Sequence, residues 1–242
     1  MFPIGDDNEP GLGFAWVTAA IIAVNVAVFL LLQAASGENA FTYGFSAIPR
    51  EVIHNVDLVD PTPIVIAGQT YLIPQAPGPS PIQLTLLTSM FMHGGWLHLG
   101  GNMLFLWVFG DNVEHRAGPI FFLLGYLLAG VVGSLAQIWA SADSPIPSLG
   151  ASGAISGVLG AYLVLFPTNK VRVFVFRFIV SVAAIWAIGL WIALQIFDSV
   201  AAASGPASDS GVAYMAHFGG FATGLLIGLI LRFGRPRSPQ LA

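Results

Sequence analysis

Apolar residues fall into six blocks along this chain, roughly Gly13–Gln33, Trp96–Gly110, Pro119–Ala140, Ala151–Phe166, Val171–Phe197 and Gly211–Phe233. A helix needs about 20 residues, with a range of about 17–25, to cross the hydrocarbon core of a bilayer. The first, third, fifth and sixth blocks meet that length, whereas the second and fourth are short. The longest connection, residues 34–95, contains "DPTPIVIAGQTYLIPQAPGPSP", whose prolines and glycines forbid a continuous helix. It ends in "IQLTLLTSMFMHGGW", apolar but short, which fits an interfacial helix. The pattern predicts an all-α polytopic membrane protein of six transmembrane helices, with a structured first loop partly embedded in the membrane. Residues 1–12 and 234–242 are expected as tails around one helical unit, 13–233.

Composition agrees with this pattern. Of 242 residues, 56% are hydrophobic and 8% charged, against about 25% charged in soluble domains, and the mean hydropathy is +0.80. The absence of cysteine excludes disulfides, thiol nucleophiles and thiolate metal sites. The net charge of -4 and the lack of a basic run give no sign of a nucleic-acid partner. The first 13 residues hold no Lys or Arg, so the first block is expected as a retained span and not a secretory signal. With six spans, seven of the eight basic residues, all but Arg50, fall on one side or just inside it. The positive-inside rule puts both termini in the cytoplasm.

Polar side chains inside a span are functional candidates, and four stand out: His98, Asn102, Ser152 and His217. His98 and Asn102, in "HLGGN", are four apart and share a helix face. Ser152, in "GASG", follows the proline-broken "DSPIPSLG", so a helix is expected to start near Gly150 or Ala151. Its unpaired N–H groups and positive dipole end suit an oxyanion. His217, in "AHFGGFATG", shares a face with Gly220 and Gly224, and Ser152, Ser156 and Gly160 form a bare face on the fourth block. Such small-residue faces let helices approach closely, and docking them would bring Ser152 within reach of His217. At a rise of about 1.5 Å per residue, Ser152 and His217 each lie roughly 22 Å from the far ends of their helices, and His98 roughly 18–20 Å. All three therefore sit at a similar depth.

Serine and histidine are the minimal nucleophile and general base. Oxyanion donors are sought among the Ser152 and Ala151 N–H groups, the Asn102 amide and His98. No carboxylate sits near His217 at that depth, so a dyad is expected rather than a triad. Two separated histidines make a poor ligand set, so no metal or other cofactor is expected.

The combination "HLGGN", "GASG" and "AHFGGFATG", in this order and on alternate helices, resembles the rhomboid family of intramembrane serine proteases. The resemblance implies a six-helix bundle with an outward-facing cavity and an embedded first loop. It implies Ser152 as nucleophile, His217 as base, and His98 and Asn102 as oxyanion assistants. Gly150, Gly153, Ser156, Gly220 and Gly224 are expected to pack around the site. Single-span membrane proteins would be the substrates. "GDNVEHRAG" looks like the family's Glu-x-Arg element, with Glu114 and Arg116 tying down a cytoplasmic loop or forming a solvated pair. Position 156 departs from the pattern: many bacterial relatives carry a Tyr there that stacks under the histidine. His93 fits an interfacial position or the cavity mouth. Trp107, Trp186 and Trp191 fit either the flanks of a substrate route or lipid-facing anchors. A multi-pass protein of a prokaryotic plasma membrane is the expected location. The competing readings are an inactive rhomboid-like binder of transmembrane helices and a small membrane transporter or channel.

Overall fold

The computed structural model describes residues 2–8, 13–66, 68–204 and 212–234. The helices are α1 (Trp16–Leu31), α2 (Ala40–Phe45), α3 (Pro49–His54), α4 (Thr85–Thr88), α5 (Trp96–Ala117), α6 (Pro119–Ala140), α7 (Ser152–Leu165), α8 (Ala184–Ser204) and α9 (Tyr214–Gly234). The strands are β1 (Phe2–Asp6), β2 (Thr62–Ile66), β3 (Gln69–Ile73), β4 (Lys170–Val175) and β5 (Phe178–Ala183). Helices α6, α8 (over Ala184–Ala202) and α9 are long and apolar enough to cross a membrane.

Helix α7 lies at the centre, buried on all sides over Gly153–Tyr162. It is held against α9 by a contact between backbones. A Cβ on Gly220 would overlap the Gly153 carbonyl, one on Gly224 the Gly157 carbonyl, and one on Gly160 the Phe221 carbonyl. The bare face of α7 is therefore Gly153, Gly157 and Gly160. Ser156, expected in that seam, is one position away and lines a cavity instead. At 100° per residue, one position decides which neighbour a side chain meets.

Three expectations need correction. The second block does not stop at Gly110: α5 continues through "DNVEHRA" for 22 residues in all, because its polar groups find partners inside the fold. Glu114 is buried and accepts from Val17 N at 3.0 Å, Thr18 N at 2.7 Å and Thr18 Oγ1 at 2.8 Å. It thereby satisfies the first N–H groups of α1 at the positive end of its dipole. Arg116 donates to Leu231 O at 2.7 Å, near the end of α9. The pair thus ties helix ends together.

The fifth block is not one helix. Residues 170–183 form an antiparallel hairpin, Lys170 opposite Ala183 and Val175 opposite Phe178, and α8 begins only at Ala184. In "KVRVFV" Val171 and Val173 are buried while Lys170, Arg172 and Phe174 are exposed. That alternation, with β-branched residues, is a strand period.

Residues 2–6 are not a tail. They form β1, antiparallel to β4, with Phe2 opposite Phe174 and Asp6 opposite Val171. Asp6 is buried, accepts from Asn112 Nδ2 at 2.6 Å and accepts a short hydrogen bond from the Tyr162 hydroxyl. The expected C-terminal tail from residue 235 and residues 9–12 lie outside the described residues.

Burial, reinforced by Asp111 and Asp7, raises Asp6 to about 6. A carboxyl raised above its unfolded value keeps its proton longer in the folded state, so its contribution to stability is present at low pH and is lost between about 4 and 6. Asp6→Asn, which keeps the shape without the charge, is expected to unfold at a higher temperature than wild type at pH 7.5 and to match it at pH 4. Equal midpoints at both pH values would contradict this.

The described residues of the first loop form α2, α3, β2, β3 and α4 and pack at the end of the bundle where α5, α7 and α9 begin. Ala47 and Ser148 exchange backbone hydrogen bonds at 2.8 and 2.9 Å, Gln75 Nε2 donates to Pro145 O at 2.8 Å, and Thr88 Oγ1 donates to Phe45 O at 2.8 Å. Helix α5 is joined to the end of α1 through Gln33. Its amide donates to His93 O at 2.9 Å and accepts from His93 N at 2.9 Å.

Candidate active site

Helices α5, α7 and α9 begin at the same end of the bundle, so residues near their starts converge. His98 is in the first turn of α5, Ser152 opens α7, and His217 is in the first turn of α9. His217 Nε2 lies 2.8 Å from Ser152 Oγ. The α7–α9 seam places it there, because the first interlocking pair, Gly153 with Gly220, is beside both residues.

A cavity of about 390 Å3 opens over this pair. Its lining includes His98, Asn102, Ser152, Ser156, Gln195 and His217. The volume falls within the ~300–1,000 Å3 of small-molecule sites.

Asn102 is 8% exposed, and its Nδ2 has no hydrogen-bond partner among the described residues. A buried donor without a partner is costly, which makes this amide a candidate donor at the site. His98 Nδ1 accepts from Gly94 N at 3.3 Å. A neutral imidazole with an accepting Nδ1 carries its proton on Nε2.

Gly150 explains how α7 starts so close to this ring. Its φ is +123°, and a Cβ there would lie 2.8 Å from His98 Nε2 and 3.7 Å from Ser152 Oγ. Gly150 therefore packs against His98, beside Ser152. Its own N–H donates to Ser89 O at 2.9 Å. Ser152 is the first residue of α7 and Ala151 its cap, without a side-chain cap bond. The N–H groups of this first turn lack intrahelical acceptors.

His93 is fully buried and meets His98 edge-on, with ring centroids 5.2 Å apart. It is a wall behind His98 and does not line the cavity. Burial, together with the neighbouring His98, pushes it down to about 3, so it is neutral at physiological pH. Among the described residues, no three His, Asp or Glu side chains gather as metal ligands.

Two residues of α8 reach the site: Gln195, which had no sequence signal, and Trp191, expected only as a flank of a substrate route or a lipid-facing anchor. Gln195 Oε1 is 2.6 Å from His217 Nδ1, and the Trp191 ring lies against His217 with centroids 6.0 Å apart. Both come from α8, four residues apart, on one helix face. Ser156 does not reach His217 as a hydrogen-bond partner. Its hydroxyl donates to Ser152 O at 2.6 Å. Trp107 and Trp186 are exposed, unlike Trp191.

Residues 82–233 match the family described as the Rhomboid domain. Mitochondrial Rhomboid protein 1 of Saccharomyces cerevisiae is 35% identical over 150 residues, 60% of this chain and 41% of that protein. Rhomboid protease GluP of Bacillus subtilis is 48% identical over 85 residues, 35% of this chain and 16% of that protein. RHOMBOID-like protein 1 of Arabidopsis thaliana is 26% identical over 225 residues, 90% of this chain and 54% of that protein. The chain thus spans about half or less of the length of these relatives. With its Rhomboid domain match and its long apolar helices, this chain is an integral membrane protein that belongs to the rhomboid family, a family that includes intramembrane serine proteases.

Proposed function

We propose that this chain is an intramembrane serine endopeptidase that cuts single-span membrane proteins in or beside their transmembrane segments. The observation that carries this reading is the 2.8 Å contact of Ser152 Oγ with His217 Nε2 at the wall of a 390 Å3 cavity. Ser152 Oγ attacks the scissile carbonyl while His217 Nε2 takes its proton. The carbonyl oxygen, now negative, is met by the Asn102 amide, by His98 Nε2–H and by N–H groups at the start of α7. The helix dipole adds to them. His217 then delivers the proton to the leaving amine. Water, deprotonated by the same nitrogen, hydrolyses the acyl-enzyme and frees Ser152.

We further propose that six helices, α1 and α5–α9, cross the membrane as one unit over residues 13–233, the first loop dipping into its surface. The excess of basic residues near the ends of α5, α7 and α9 supports placing both termini in the cytoplasm, in a prokaryotic plasma membrane, with the cavity open to the other side.

The test is cleavage of a tagged single-span protein by the full chain reconstituted in vesicles, read beside labelling by a fluorophosphonate. Fragments from wild type but not from Ser152→Ala, with the label on Ser152, are expected. Substrate that is bound but never cut, with no label on Ser152, would return the chain to the helix-binding reading. Asn102→Ala is expected to lower kcat by about 10²–10³-fold with KM little changed, the usual loss for one oxyanion donor. A rise in KM alone would make Asn102 a ground-state contact.

A further inference from the structure

A general base has to present a lone pair to the nucleophile, and a neutral imidazole has only one. Which ring nitrogen carries it is decided by what the other nitrogen touches. Here Nε2 faces Ser152 Oγ at 2.8 Å and Nδ1 faces Gln195 Oε1 at 2.6 Å. The Gln195 carbonyl oxygen can only accept. The proton therefore sits on Nδ1, and Nε2 is left as the acceptor of the serine hydroxyl.

The position where a stacking aromatic ring would lie under the histidine is Ser156, and its hydroxyl is committed to Ser152 O. The packing against His217 comes instead from Trp191, one turn before Gln195 on α8. One face of α8 thus provides both an in-plane hydrogen bond and a ring contact.

We propose that Gln195 is the positioning residue of His217, fixing its Nδ1–H tautomer, and that Trp191 limits its rotation, so that the base is armed from α8. This rests on the dyad reading above.

The test uses the full chain in vesicles, with Gln195→Leu and Gln195→Met, which remove the acceptor, and Gln195→Glu, which keeps one. Each is assayed for cleavage and for the rate of fluorophosphonate labelling at Ser152, a reaction that needs no substrate helix. The acceptor-less variants are expected to lose about tenfold or more in kcat and to label more slowly by a similar factor, with KM unchanged. Gln195→Glu is expected to stay within about threefold of wild type, on the scale of a conserved hydrogen bond. Selective 15N labelling of histidine is expected to show the Nδ1–H form of His217, assigned by its loss in His217→Ala, giving way in the acceptor-less variants. Wild-type kcat and labelling in a folded Leu or Met variant would overturn the proposal, as would a Glu variant as impaired as Leu. Ser152→Ala in the same assay separates the two readings. If it still cleaves, the dyad fails; if it is inactive while Gln195→Leu is normal, only the role of Gln195 fails.

Discussion

Ser152→Ala and His217→Ala are each expected to lower kcat by about 10⁵–10⁶-fold, and the double substitution by little more than either one. The two side chains share one hydrogen bond of 2.8 Å, and each is chemically idle without the other. An alkoxide is not formed at neutral pH without a base, and without the serine there is no acyl-enzyme for the imidazole's activated water to hydrolyse. Residual cleavage would come from the oxyanion donors and from binding alone. Neither substitution should unfold the protein, because both side chains border a cavity and their truncation leaves no packed void. Thermal midpoints close to wild type would show this. Losses that multiply in the double variant would contradict the single-unit behaviour, and full activity in either single variant would remove the dyad.

Gly224→Val is expected to abolish cleavage for a different reason, by forcing α7 and α9 apart. A single Cβ at this position already overlaps the Gly157 carbonyl, and that carbonyl belongs to helix backbone that cannot rotate away. Overpacking a core typically destabilises by about 1–3 kcal/mol, and a branched side chain against backbone belongs at the upper end of that range or beyond. If the chain still folds, a helix displaced by even 1–2 Å separates His217 from Ser152 beyond hydrogen-bond reach. The control is Gly100→Ala on α5, where nothing lies within 4 Å. There the helix propensity gain of about 1 kcal/mol should be realised. Opposite shifts in unfolding midpoint for the two variants are expected; similar shifts would mean that the seam is soft.

Ser152, His217, His98 and Asn102 were legible in the sequence because each is a polar residue in an apolar block, where its presence needs a reason. The small residues beside Ser152 and His217 further implied a close approach. The seam itself was off by one position, since Ser156 and Gly157 are equally small and pattern alone does not choose between neighbours. The hairpin at 170–183 was hidden because a strand of Val and Phe satisfies hydropathy as well as a helix does. Only the alternation of Lys170, Arg172 and Phe174 with buried valines separates the two. β1 pairs with a partner more than 160 residues away, and no local pattern encodes such a pairing. Gln195 was invisible for a related reason. It is one amide in an apolar helix, and its meaning comes only from where α8 meets α9.

The seam between α7 and α9 also orders events in time. Ser152 and His217 are 65 residues apart in the chain, and the nucleophile emerges first during synthesis. Until α9 has been made and its glycines have closed on those of α7, a growing polypeptide holds a serine with no base. On the dyad reading, the enzyme is inert while its neighbours in the membrane are other unfinished chains, and it turns on when α9 docks on α7.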